Sequence, residues 1–127
     1  MPVVLVVDDS YEVARRVSES LEQENFQVLG PVDNGPEALR RFEEERPQAL
    51  VLDVNMPGMN GIDLTRAVRA KDPHCPIIIF TSHVEESIYE QCRTAGATDV
   101  LSKAKDADRI ADVLRRALAG MGVGNSS

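Results

Sequence analysis

The sequence predicts a doubly wound α/β domain, a parallel sheet covered by helices on both faces. Two observations carry this. Short β-branched apolar runs recur at about residues 3–7, 27–32, 49–54, 77–81 and 98–102, and each is followed by a stretch whose apolar residues have helical spacing. The runs 3–7, 49–52 and 77–80 are apolar throughout instead of alternating, so these strands need cover on both faces. Right-handed crossover connections supply that cover by laying helices above and below the sheet.

The elements follow in order along the chain. Val3-Val4-Leu5-Val6-Val7 is the first strand, and Val13, Val17 and Leu21 mark one face of the first helix. The second strand covers 27–32, and Pro36 suits the first turn of a helix striped by Leu39 and Phe42, where its missing N–H is harmless. After the third strand, Leu64, Ala67 and Val68 mark the third helix. After the fourth come Val84, Ile88, Cys92 and Ala95. The last helix carries Ile110, Val113, Leu114, Ala117 and Leu118, the widest apolar face of the set, and Gly120 offers a stop. Residues 1–120 therefore form the expected domain. Residues 121–127, small and polar with two further glycines, are expected to be a flexible tail or the start of a linker.

At 127 residues the chain suits one domain with a real core, and 43% hydrophobic with 28% charged residues is a soluble globular composition. The net charge of −7 argues against a surface that binds nucleic acid by charge, so no direct nucleic-acid partner is expected. The apolar stretches are strand-sized and Met1-Pro2 lacks a basic lead, which leads us to expect a cytoplasmic protein without a membrane partner. Cys75 and Cys92 lack metal-site spacing and read as free thiols.

Chemistry gathers at the strand ends. Asp8 and Asp9 directly follow the first run, and Asp53 follows Ala49-Leu50-Val51-Leu52. If those strands are neighbours, the three carboxylates meet beyond the carboxyl ends of the sheet, where such folds bind ligands, and offer oxygens to a hard divalent cation. An empty cluster of this kind repels itself, so a cation or a lysine is needed to hold it. Thr81 follows the fourth run and Lys103 the fifth, adding a hydroxyl and an ammonium. Acids, hydroxyl and ammonium around one cleft suit phosphoryl transfer, with Asp53 as the candidate nucleophile. Simpler roles compete: Asp9 as a helix cap in the capping-box spacing Asp9-Ser10-Tyr11-Glu12, Thr81 as a cap for the next helix, Lys103 as a surface lysine. His83, two residues past Thr81, reads as a cleft-rim residue.

Four stretches together resemble one known family: Val6-Val7-Asp8-Asp9; Leu52-Asp53-Val54-Asn55-Met56-Pro57-Gly58-Met59-Asn60-Gly61; Phe80-Thr81-Ser82; and Ala95-Gly96-Ala97-Thr98-Asp99-Val100-Leu101-Ser102-Lys103. From residue 3 to about 119 the chain is similar to the receiver domain of two-component response regulators. The resemblance implies a flavodoxin-like, five-stranded parallel sheet in the order 2-1-3-4-5 with five helices. It implies that Asp53 is phosphorylated, that Asp9, Asp53 and the Asn55 backbone carbonyl ligate Mg²⁺, and that Asp8 acts through metal-bound water. Thr81 becomes the switch hydroxyl and Lys103 the partner of the phosphoryl group. The implied partners are a sensor histidine kinase or a histidine phosphotransfer protein, an output domain or protein, and a second copy through the face of helix 4, strand 5 and helix 5. The implied role is that of a signalling phosphoacceptor which promotes its own phosphorylation and dephosphorylation, not of an enzyme with an external substrate.

Two positions depart from the family pattern. Ala104 stands where the family often has a proline after the lysine, and Val100 stands where it often has a switching aromatic. Two other classes compete with the receiver reading. A phosphorylation-independent interaction module would keep the fold without the switch. A Mg²⁺-dependent phosphatase would need a second acid at position 55 and a cap segment, and the chain has Asn55 and no such segment.

Overall fold

The structure is a computed structural model that describes residues 1–126, with side chains described through residue 120. Strands and helices alternate without exception: β1 (Val3–Val7), α1 (Tyr11–Gln23), β2 (Gln27–Val32), α2 (Gly35–Glu45), β3 (Ala49–Leu52), α3 (Gly61–Lys71), β4 (Ile77–Thr81), α4 (Glu86–Ala95), β5 (Asp99–Ser102) and α5 (Ile110–Ser126). The strands form one parallel sheet in the order β2-β1-β3-β4-β5, as expected.

The two-residue period of the strands divides the core in two. Leu5, Val7, Leu50, Leu52, Ile77 and Ile79 face one side, where Ala38 and Phe42 of α2, Leu64 and Val68 of α3, and Cys92 and Ala95 of α4 cover them. Val4, Val6, Val51, Ile78 and Phe80 face the other, beneath Ala14, Val17 and Leu21 of α1 and Ile110 and Leu114 of α5. Val4, Leu5, Val6 and Val7 are each at most 1% exposed. Burial of such side chains contributes about 1.5–3 kcal/mol each, enough to hold β1 inside the sheet between β2 and β3 with an acid pair at its end.

The helix ends are set locally. Ser10, Asn34 and Asn60 cap α1, α2 and α3, each side-chain oxygen accepting an N–H of the first turn. The fourth helix differs from expectation. It begins at Glu86 without a side-chain cap, so Val84 lies outside it and is 48% exposed. Gly96, at φ 111°, ends α4 in the left-handed conformation that glycine adopts freely. The third strand ends at Leu52, short of 54, and beyond it the Asp53 carboxylate accepts the Val54 N–H. Helix α5 runs through Gly120, where a stop was expected; a glycine weakens a helix by about 1 kcal/mol relative to alanine without breaking it. The expected tail over 121–127 falls on residues whose side chains, and for Ser127 the whole residue, lie outside the described ones. Among the described residues no helix is long and apolar enough to cross a membrane.

Candidate functional site

Register brings the acids together. Val7 pairs with Leu52 across β1 and β3, so Asp8 and Asp53 leave adjacent strands at the same level. Their backbones are pinned: the Asp8 N–H donates to the Val32 carbonyl at 2.9 Å, and the Asp53 N–H to the Val7 carbonyl at 3.1 Å. Asp8, Asp9 and Asp53 each present a carboxylate oxygen within 4.8 Å of the other two. Asp8 and Asp53 are buried, whereas Asp9 is exposed.

The lysine expected from the end of β5 closes this cluster. The Lys103 ammonium donates to Asp8 Oδ2 at 2.8 Å and to Asp53 Oδ2 at 3.1 Å. The remaining oxygens are also directed, Asp8 Oδ1 by the Ser10 N–H at 2.8 Å and Asp53 Oδ1 by the Val54 N–H at 2.7 Å. Burial pushes the Asp8 carboxyl above its ordinary value, more than the bonds from Lys103 and Ser10 pull it down. Burial also works against the Lys103 ammonium, but its bonds to Asp8 and Asp53 outweigh that and raise its pKa. Three carboxylates against one ammonium leave the site two negative charges in excess. That excess, with oxygen donors only, fits a hard divalent cation.

Thr81 is fully buried at the end of β4. Its carbonyl accepts the Lys103 N–H at 2.9 Å and its hydroxyl oxygen accepts the His83 N–H at 3.2 Å. It caps no helix, since α4 starts beyond Glu85. Asp9 caps none either, because Ser10 holds that position in α1. Asn55 lies exposed two residues past Asp53. The peptide between Lys103 and Ala104 is trans, the described chain having its cis bond at Gly30-Pro31. Val100 is buried against the α2, α3 and α4 side of the core.

One contributor escaped the sequence reading although it lies inside the quoted stretch. Gly61 opens α3 directly beneath Asp53, and a Cβ there would lie 2.0 Å from the Asp53 carbonyl oxygen. Its N–H donates to the Val54 carbonyl at 2.8 Å, so the helix start grips the backbone that carries the acid. The signal was present as Asn60-Gly61, a cap followed by a residue without a side chain.

Fold and site together define a class: a doubly wound domain with carboxylates bridged by a lysine at the carboxyl edge of its sheet. A family model described as the response regulator receiver domain matches residues 4–115. The chain is 42% identical over 103 residues to the protein-glutamate methylesterase/protein-glutamine glutaminase of Idiomarina loihiensis, covering 79% of this chain and 26% of that protein. It is 30% identical over 115 residues to sporulation initiation phosphotransferase F of Bacillus subtilis, covering 91% of this chain and 92% of that one. It thus spans about a quarter of the first relative and nearly all of the second. The solved response regulator receiver domain protein from Clostridium thermocellum superposes with a TM-score of 0.89 at 25% identity, covering 97% and 98% of the two chains. The chain belongs to the response regulator receiver domain family, whose standard role is that of a signalling phosphoacceptor.

Proposed function

We propose that Asp53 is the phosphoacceptor, that Asp8, Asp9, Asp53 and the Asn55 carbonyl hold Mg²⁺, and that Thr81 and Lys103 serve the transferred group. The observation that carries this reading is the Lys103 ammonium bonded to both Asp8 and Asp53, with the two acids buried at one strand edge. Bound at these oxygens, Mg²⁺ would supply positive charge against the carboxylates and the phosphoryl oxygens. Asp9, Asp53 and the Asn55 carbonyl would hold it directly, and Asp8 would act at one remove.

The donor is a phosphohistidine on a sensor histidine kinase or a histidine phosphotransfer protein in the cytoplasm. A carboxylate oxygen of Asp53 attacks phosphorus. The O–P bond forms as the P–N bond breaks, and the electron pair returns to the imidazole, which leaves neutral when its other nitrogen carries a proton. Asp53 is poised for this because its backbone is fixed to β1 and one oxygen is oriented by the Val54 N–H. Lys103, now shared between two acids, follows the charge onto a phosphoryl oxygen. The Thr81 hydroxyl donates to another. Hydrolysis of the acyl phosphate resets the domain.

The added charge biases a two-state equilibrium in the segment after Thr81 and in the face of α4, β5 and α5, where an output domain, a partner protein or a second copy docks. Val84 of that segment and Tyr89 of α4 are 48% and 39% exposed. With Val100 in place of an aromatic, the change passes through the Thr81–His83 segment and not through residue 100.

Incubation with acetyl phosphate and Mg²⁺, followed by intact mass measurement, tests the reading. A labile phosphoryl adduct that disappears in Asp53→Asn is the expected result. Absence of an adduct at saturating Mg²⁺ would favour an inert interaction module, and sustained turnover of phosphate esters would favour a phosphatase.

A further inference from the structure

Lys103 holds its ammonium on two buried carboxylates, yet the residues that follow it, Ala104 and Lys105, are exposed and include no proline to fix the chain. The loop is fixed by other means. β5 is an edge strand, and the Lys103 N–H points to Thr81 of β4, so the N–H and carbonyl of Ser102 point away from the sheet and have no strand partner. Both are used inside the loop. The Ser102 N–H donates to Asp106 Oδ2 at 2.9 Å, and its carbonyl accepts the Asp106 N–H at 2.8 Å and the Lys105 N–H at 3.3 Å. The Ser102 hydroxyl oxygen accepts the Ala104 N–H at 3.1 Å.

The Asp106 carboxylate is therefore spent on β5. It precedes the short 3₁₀ turn Ala107–Arg109 without capping it, and its other oxygen takes the Arg109 guanidinium at 3.1 Å. The result is a closed ring from 102 to 106 with Lys103 at its inner edge, anchored on the far side to Thr81.

We propose that Asp106 and Ser102 are positioning residues for Lys103: their mutual clamp holds the lysine on the acid cluster in a chain that has alanine, not proline, after it. What Lys103 does once held rests on the function proposed above; whether it is held does not.

Two measurements on the full chain separate these questions. In metal-free protein, nitrogen-15 NMR reads the water exchange of the Lys103 ammonium protons. With acetyl phosphate and Mg²⁺, intact mass reads the labelling rate. Asp106→Ala should speed the ammonium exchange and slow labelling about tenfold, the order expected for losing a charge-assisted hydrogen bond that orients a reacting group. Asp106→Asn keeps an acceptor for the Ser102 N–H and should recover most of the rate. Because Asp106 acts through Lys103, the double variant Lys103→Ala/Asp106→Ala should label no more slowly than Lys103→Ala. Unchanged ammonium exchange in Asp106→Ala, or a double variant slower than Lys103→Ala by the full single-variant factor, would overturn the clamp. Should Asp106→Ala not fold, Asp106→Ser, which lacks the carboxylate and ends one atom short of the oxygen that accepts the Ser102 N–H, carries the same comparison. If the wild-type chain takes no label, the phosphoacceptor reading fails, and the ammonium exchange still decides the clamp.

Discussion

Replacing Gly61 with alanine inserts one methyl group beneath the acid proposed to accept the phosphoryl group. The new Cβ would lie 2.0 Å from the Asp53 carbonyl oxygen, 2.8 Å from its carbon and 2.9 Å from Leu52 Cδ1. Two of these neighbours are backbone and cannot rotate aside, so β3 or the start of α3 has to move. Overpacking typically costs about 1–3 kcal/mol, and a clash with backbone belongs at the upper end. Alanine returns up to about 1 kcal/mol through helix propensity, leaving a net loss of about 2 kcal/mol. For a domain of this size that lowers the melting temperature by about 6–8 °C. Urea unfolding with an unchanged slope measures the loss directly. The variant should remain folded at 25 °C yet accept a phosphoryl group from acetyl phosphate much more slowly, because the displaced peptide carries the nucleophile. A Gly61→Ala protein within about 0.5 kcal/mol of wild type would refute the close approach as the reason for glycine.

Other consequences follow from the same site and core. The buried Asp8 carboxyl has its pKa raised above 3.8, first by burial, so the folded state holds this proton more tightly than the unfolded chain. Its ionised form weakens folding above the folded-state value, and acidification through that value relieves the loss. Asp8→Asn should accordingly make the metal-free protein more stable at neutral pH and remove that gain on acidification in urea titrations; a less stable variant would contradict the argument. Mg²⁺ at a hundred times its dissociation constant should stabilise the wild type by about 2.7 kcal/mol, and Asp9→Asn should lose most of that shift. Burial, with Asp72 nearby, pushes the Cys75 thiol up to about 12, so it should resist a thiol reagent at pH 8 until the protein unfolds. Rapid labelling of Cys75 in the native state would show that it is not buried as described.

Much of this molecule is written in local sequence. Five β-branched runs with helical stripes between them yield the sheet and its two covered faces, because strands such as Ile77-Ile78-Ile79-Phe80 have no polar side to leave in water. Asp8, Asp53, Thr81 and Lys103 were legible for the same reason: each stands where an apolar run stops. Contacts between segments distant in sequence were less legible. The approach of Gly61 to Asp53 depends on how α3 returns under β3, and the turn of Asp106 onto Ser102 depends on β5 being an edge strand. Val84 misled as a helical residue because its spacing from Ile88 fits a stripe; the capless start at Glu86 leaves it outside.

The measurement that bears most directly on the central claim is the position of the phosphoryl group. Labelling with acetyl phosphate and Mg²⁺, reduction of the acyl phosphate with borohydride and peptide mass spectrometry would locate it, since reduction converts a phosphorylated aspartate to homoserine. Homoserine at position 53, absent without Mg²⁺ and reduced in Lys103→Ala, is the predicted result. Homoserine at Asp8 or Asp9, or none at position 53 at saturating Mg²⁺, would contradict the assignment of Asp53 as the acceptor.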